Sequence, residues 1–168
     1  MSHTSVYALY KTKVTCLEQL KNSHGSGPAI WDYISVKLRG RNFDMFNDDG
    51  FWPLWKDMRL SDNERAVLLS TYDCSYVEID HLQQFSEACS ELHNLIVETT
   101  RWTWNHFGDI ARIASELADH HDYRCKGLAI GCTSVCDIWE ARDISGIDAW
   151  GIYANIDRQL KPEIVGRA

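Results

Sequence analysis

The sequence predicts a single α+β domain, mainly α, spanning residues 1–168, with six or seven helices and at most a small three-stranded sheet. Three observations carry that reading. Apolar residues recur at three- and four-residue steps over most of the 168 positions, and capping residues stand ahead of several of these runs. Only the neighbourhoods of Ser5, Tyr76 and Leu128 are extended in character. The chain is 45% hydrophobic and 11% aromatic, which is ample apolar material for one core at this length.

Thr4 or Ser5 caps a first helix with Val6, Leu9, Tyr10, Val14, Leu17 and Leu20 at helical spacing, although the alternation Val6, Ala8, Tyr10 also fits a short strand. Asn22 to Gly27 reads as a turn, and Pro28 opens a second helix carrying Ile30, Trp31, Ile34 and Leu38 up to Gly40. These two elements make a helical hairpin. Trp52 to Trp55 is a short helical turn. Ser61 and Glu64 then form a capping box, the hydroxyl taking an orphan N–H while the carboxylate reaches back to the cap, so a helix begins at Asp62.

Cys74 to Ile79 is too short and too β-branched for a helix. Asp80 and Gln83 form a further capping pair for a helix whose Leu82, Phe85, Cys89, Leu92 and Ile96 share one stripe, with Glu87 and Glu91 turned outward. Thr99 and Thr100 start the next helix, where Ile110, Ile113, Ala114 and Leu117 line one face. Lys126 to Gly131 is a short buried strand. Thr133 or Ser134 with Asp137 caps a short helix, Ser145 with Asp148 caps a last one, and Pro162 stops the pattern before a frayed tail, 163–168.

Seventeen basic residues against 24 acidic ones leave a net charge of −7. Direct nucleic-acid binding needs clustered Lys and Arg against phosphates, so this balance disfavours it. An acidic surface instead suits a basic partner, or solubility alone. No apolar run approaches the roughly 18 residues that span a bilayer, and Met1 to Tyr10 lacks the basic start and apolar stretch of a signal peptide. The expectation is a cytoplasmic protein without a membrane partner. Its six cysteines follow no framework spacing and read as small buried hydrophobes, with no disulfides.

The densest aromatic cluster, Phe43 to Trp55, is the leading candidate for a partner-binding patch. Interface centres favour Trp and Phe, so Phe51, Trp52 and Trp55 are the anchors and Asp48, Asp49 and Asp57 the steering rim. In the competing reading the same rings belong to the core. Gly131, Thr133 and Ser134 stand at a strand-to-helix turn where free N–H groups can hold an anion, without the lysine of a P-loop. An ordinary capped turn competes there.

His120, His121, Cys125, Cys132 and Cys136 are the densest metal-capable residues, but their spacing departs from the tight pairs of structural zinc. A loop starting at Asp73 has Glu78 where a calcium hand needs glycine and Gln84 where it needs glutamate. No metal and no cofactor is expected. Cys89 and His93 lie one helical turn apart, yet Cys89 belongs to the apolar stripe and its thiol reads as inert. His106 reads as a ligand, a base or, more ordinarily, a core-edge histidine bonded to a backbone carbonyl. No catalytic residue is assigned, and a small enzyme or ligand-binding protein using the His120 to Cys136 region is the alternative to a binding module.

Three pieces, NSHGSGPAIWDYI (Asn22 to Ile34), LWKDMRLSDNERAVLLSTYDCSYV (Leu54 to Val77) and GLAIGCTSVCDIW (Gly127 to Trp139), together resemble a group of small uncharacterised bacteriophage proteins. The resemblance brings no catalytic or binding residue with it. It implies a protein made during infection, in the host cytoplasm, that acts by binding a host protein or complex, including defence systems such as CRISPR effectors.

Overall fold

β1 (His3–Tyr10) and β2 (Val14–Lys21) form an antiparallel hairpin in place of the expected first helix. The computed structural model of the chain describes residues 3–10, 13–21, 27–44, 46–48, 50–72, 75–120, 122–131 and 147–148. β1 is buried on both faces over Thr4 to Leu9, so its apolar residues run consecutively from Val6 to Leu9. Such a run satisfies a helical period by accident. The alternation Val6, Ala8, Tyr10 was the signal of the true element.

The hairpin belongs to a sheet of order β2-β1-β4-β3-β5, completed by β3 (Ser75–Glu78), β4 (Cys125–Gly131) and the two-residue β5 (Ile147–Asp148). The first four strands are antiparallel throughout, and β5 runs parallel to β3. This corrects the expected three-stranded sheet. It also places Asp148 in a strand beside Tyr76, where a helix-capping pair with Ser145 was expected. Gly127 admits β3 to this sheet. Its φ of +158° and a backbone so close that a Cβ would stand 1.9 Å from the Val77 carbonyl oxygen leave room for glycine alone.

Five α-helices are found among the described residues, fewer than the six or seven expected: α1 (Gly27–Arg39), α2 (Phe51–Trp55), α3 (Asp62–Ser70), α4 (Leu82–Thr99) and α5 (Phe107–His120). The chain is α+β, with a larger sheet than its sequence suggested. The helix expected over Thr133 to Asp137 and the tail 163–168 lie outside the described residues, as do the positions expected to continue a helix beyond Asp148. α1 stops at Gly40, whose φ of +71° ends the helix in the left-handed region. No described helix is long and apolar enough to cross a membrane.

α3 has the capping box in full, with Glu64 N–H donating to the Ser61 hydroxyl and Ser61 N–H to the Glu64 carboxylate. The capping assignments on either side of α4 fail for local reasons. Asp80 stands in a single 3-10 turn (Ile79–His81) that leads into α4, and no side chain caps that helix. Thr99 and Thr100 end α4 rather than starting α5. Their hydroxyls bond back to the carbonyls of Leu95 and Ile96 at 2.6 and 2.8 Å, the i−4 back-bonding of threonines in a last helical turn.

The helices cover one face of the sheet. Val6, Leu20, Val77, Leu128 and Ile130 meet the apolar stripes of α1, α3, α4 and α5 there. Phe85, Leu92 and Ile96 of α4 are fully buried, each stabilising the fold by about 2 kcal/mol. On the other face Tyr7, Leu9 and Ala129 form a second small cluster with Val14 and Tyr76 against it.

Candidate functional site

Asp32, at the middle of α1, is almost wholly buried and its two oxygens collect donors from two loops distant in sequence. Oδ1 accepts the Phe43 backbone N–H at 3.0 Å. Oδ2 accepts the Trp102 indole N–H at 2.7 Å and both Nε and Nη2 of Arg101 at 3.1 Å. A buried carboxylate is tolerable only when hydrogen-bonded and paired, so the loop after α1 and the loop between α4 and α5 are held wherever Asp32 stands. Phe43 also packs edge-on against Trp31, the ring centroids 4.8 Å apart.

Each loop has further internal bracing. In the first, Asp44 accepts the Phe46 backbone N–H at 2.9 Å and the Asn47 side-chain amide at 2.6 Å, while Asp48 accepts the Asp44 N–H at 2.8 Å. Arg39 and Arg41 both close on Asp48. In the second, the buried Asn105 accepts the Phe107 N–H at 3.1 Å and His93 Nδ1–H at 3.0 Å, which ties the entry of α5 to α4. Arg101 stacks over Trp102, 5.3 Å from the ring centroid. Two large rings stand out from these fixed backbones, Phe46 at 89% exposed and Trp104 at 64%.

The residues expected to form the partner patch are distributed differently. Trp55 is half-buried against the core, and its indole N–H donates to the Arg65 carbonyl at 3.2 Å. Asp48 and Asp57 do not front the solvent as a steering rim. The Arg41 guanidinium and the Asp44 N–H hold Asp48 below the usual carboxylate range, and Arg59, through its side chain and then its backbone, lowers Asp57 to about 2. Phe51 and Trp52 begin α2, whose described side chains are Pro53 to Trp55, and Asp49 lies outside the described residues.

Of the anion turn, Gly131 ends β4 opposite Ser5, and Thr133 and Ser134 lie outside the described residues. His120 is exposed at the end of α5, Cys125 is buried in β4, and His121, Cys132 and Cys136 lie outside. Among the described residues no three His, Cys, Asp or Glu side chains converge to hold a metal ion. Cys89 is fully buried and burial drives its thiol well above the usual range, while His93 turns its Nδ1 to Asn105. His106 donates from Nε2 to the Lys21 carbonyl at 2.6 Å, fastening the start of α5 to the end of β2, and its Nδ1 stands 3.7 Å from Asp109. It serves as a structural fastener.

Asp32, Arg101 and Trp104 escaped the sequence reading as site residues, and Phe46 entered it only as one ring of the aromatic cluster. Two signals for them were present. Asp44-Met-Phe-Asn47 has the acidic residue two before Phe46 that an Asx turn uses, and Trp104 stands in a run, Arg101-Trp-Thr-Trp-Asn105, with no apolar period to bury it. The pairing of Asp32 with Arg101 across 69 positions had no sequence signal. Comparison of the chain with protein-family models, with curated proteins and with solved structures found no match to any of them.

Proposed function

We propose that the chain is a non-enzymatic protein-binding module whose contact surface is the pair of loops held by Asp32, with Phe46 and Trp104 as its apolar anchors. One observation carries this reading: the two rings are exposed beside residues that Asp32, Asp44 and Asn105 hold by hydrogen bonds. Ordering a loop on binding costs free energy, and a loop braced beforehand avoids that cost. Trp at the centre of a contact is among the most effective anchors once water is excluded from it. The partner we assign is a host protein or defence complex, an assignment supported by the resemblance to bacteriophage proteins alone.

Capture from a bacterial host lysate on immobilised protein, followed by calorimetry with the purified partner, tests the proposal. Phe46→Ala and Trp104→Ala each weaken binding by tenfold or more, or about 1.4 kcal/mol, while circular dichroism and melting temperature stay as in the parent. Folded variants that bind with parental affinity would remove the surface from consideration.

A further inference from the structure

Around the two loops the ion pairs are layered, with the carboxylate inside and the cation outside. The side-chain exposures are 65% for Arg101 over 4% for Asp32, 52% for Arg41 over 2% for Asp48, and 62% for Arg59 over 25% for Asp57. These pairs share one side of α1. Asp32 and Arg39 are seven residues apart and so lie on one stripe of that helix; Arg39 shares Asp48 with Arg41, and Arg59 donates to the Leu38 carbonyl at 3.3 Å. A rim that reads as acidic in sequence therefore presents hydrogen-bond donors.

We infer that this surface takes an acidic segment of a protein partner, its carboxylates accepting from Arg41, Arg59 and Arg101 while its apolar side chains cover Phe46 and Trp104. The inference rests on the reading of these loops as a binding surface. A guanidinium has five N–H donors in a fixed fork, and Arg101 spends Nε and one side of Nη2 on Asp32, a partner that also orients it. Oriented forks favour single carboxylates at short range. A phosphate backbone is a different ligand, since its affinity comes from uncompensated positive charge. Here a carboxylate lies under each guanidinium and the chain as a whole bears −7.

Panning a random-peptide display library on the whole protein tests this, with a single-stranded oligothymidylate of about 16 nucleotides as the competing probe. Selected peptides are expected to be richer in Asp and Glu than the input library and to carry apolar residues beside them. Arg41→Gln and Arg101→Gln each weaken the best peptide by about tenfold. Arg41→Gln leaves Arg39 on Asp48, so its effect is not a loss of the loop. Affinity for the peptide changes little between about 50 and 200 mM salt, whereas a phosphate-binding surface loses orders of magnitude over that range. Neutral or basic selected peptides, arginine variants of unchanged affinity, or tighter binding of the oligonucleotide would each overturn the inference. Peptides that need Phe46 and Trp104 but ignore the arginines overturn it while leaving the binding surface standing. A library that yields no sequence dependent on either ring removes both.

Discussion

Glu64 and Asp32 are both buried carboxylates saturated with donors, and they differ in what those donors belong to. Glu64 accepts from Tyr33 at 2.8 Å and from Lys37 at 2.6 and 2.7 Å, both on α1, and from the Ser61 N–H at 2.7 Å at the start of its own helix. It joins two helices. Asp32 gathers two loops whose outer ends are in water. The same chemistry, a buried carboxylate ringed by hydrogen-bond donors, fixes the frame at one place and the presented surface at the other. Separable consequences should follow from breaking each.

Glu64→Ala is expected to have the larger effect, because it removes a helix cap and an inter-helix pair and leaves the buried Tyr33 hydroxyl without its acceptor. The loss is about 3 kcal/mol, reduced from the cost of a fully buried pair because Lys37 can return to solvent, and the melting temperature falls by roughly 10 °C. Calorimetry of the variant checks it. The pH dependence has a definite sign. Burial pushes Glu64 up, but Lys37, the Ser61 N–H and Tyr33 together hold it below its ordinary value of 4.5. A depressed carboxylate supplies stability that is complete above its unfolded value and lost as pH falls through the folded one. The difference in melting temperature between parent and Glu64→Gln should therefore be full at neutral pH and shrink below pH 4.5. A difference that grew with acidity would contradict the assignment.

Asp32→Asn should cost less and act locally. An amide presents one acceptor where two oxygens served, so either the Phe43 N–H or the Arg101 and Trp102 donors lose their partner. The expected loss is about 2 kcal/mol, the scale of hydrogen bonds to a charged group. Hydrogen exchange distinguishes it from the Glu64 variant. Amides of 41–44, 46–48 and 100–106 lose protection while those of α3 and the middle of α4 keep it. Uniform loss of protection across the helices would make Asp32 a part of the frame and erase the distinction between the two carboxylates.

These two residues also show what was legible beforehand. Glu64 was recognised as a cap because its partner Ser61 is three residues away and the spacing itself encodes the geometry. Its bonds to Tyr33 and Lys37, and the whole Asp32 cluster, depend on how α1 packs against later elements, which no local spacing specifies. The same division runs through the fold. α3, the stripe of α4 and the strand at Leu128 were evident from local pattern, whereas β2 was hidden because Val14, Leu17 and Leu20 also fit a helical step. Trp55 and Trp104 both stand in aromatic-rich runs, and sequence marks no more than the absence of an apolar period around Trp104. Only the packing of α2 on α3 turns one inward and leaves the other in water.

That contrast gives the smallest expected effects. Trp55→Phe keeps most of the packed ring and removes the indole N–H that reaches the Arg65 carbonyl, so it should cost about 1 kcal/mol. Trp104→Ala removes a ring that is mostly in water and should change stability by no more than about 0.5 kcal/mol, the range of surface substitutions, with Phe46→Ala behaving alike. Denaturant titration resolves differences of this size when the slopes agree. The near-neutrality of Trp104→Ala is informative in itself. A ring whose removal leaves stability unchanged is available to a partner without cost to the fold, whereas an unfolding loss of 2 kcal/mol or more would return Trp104 to the frame and weaken its place in a binding surface.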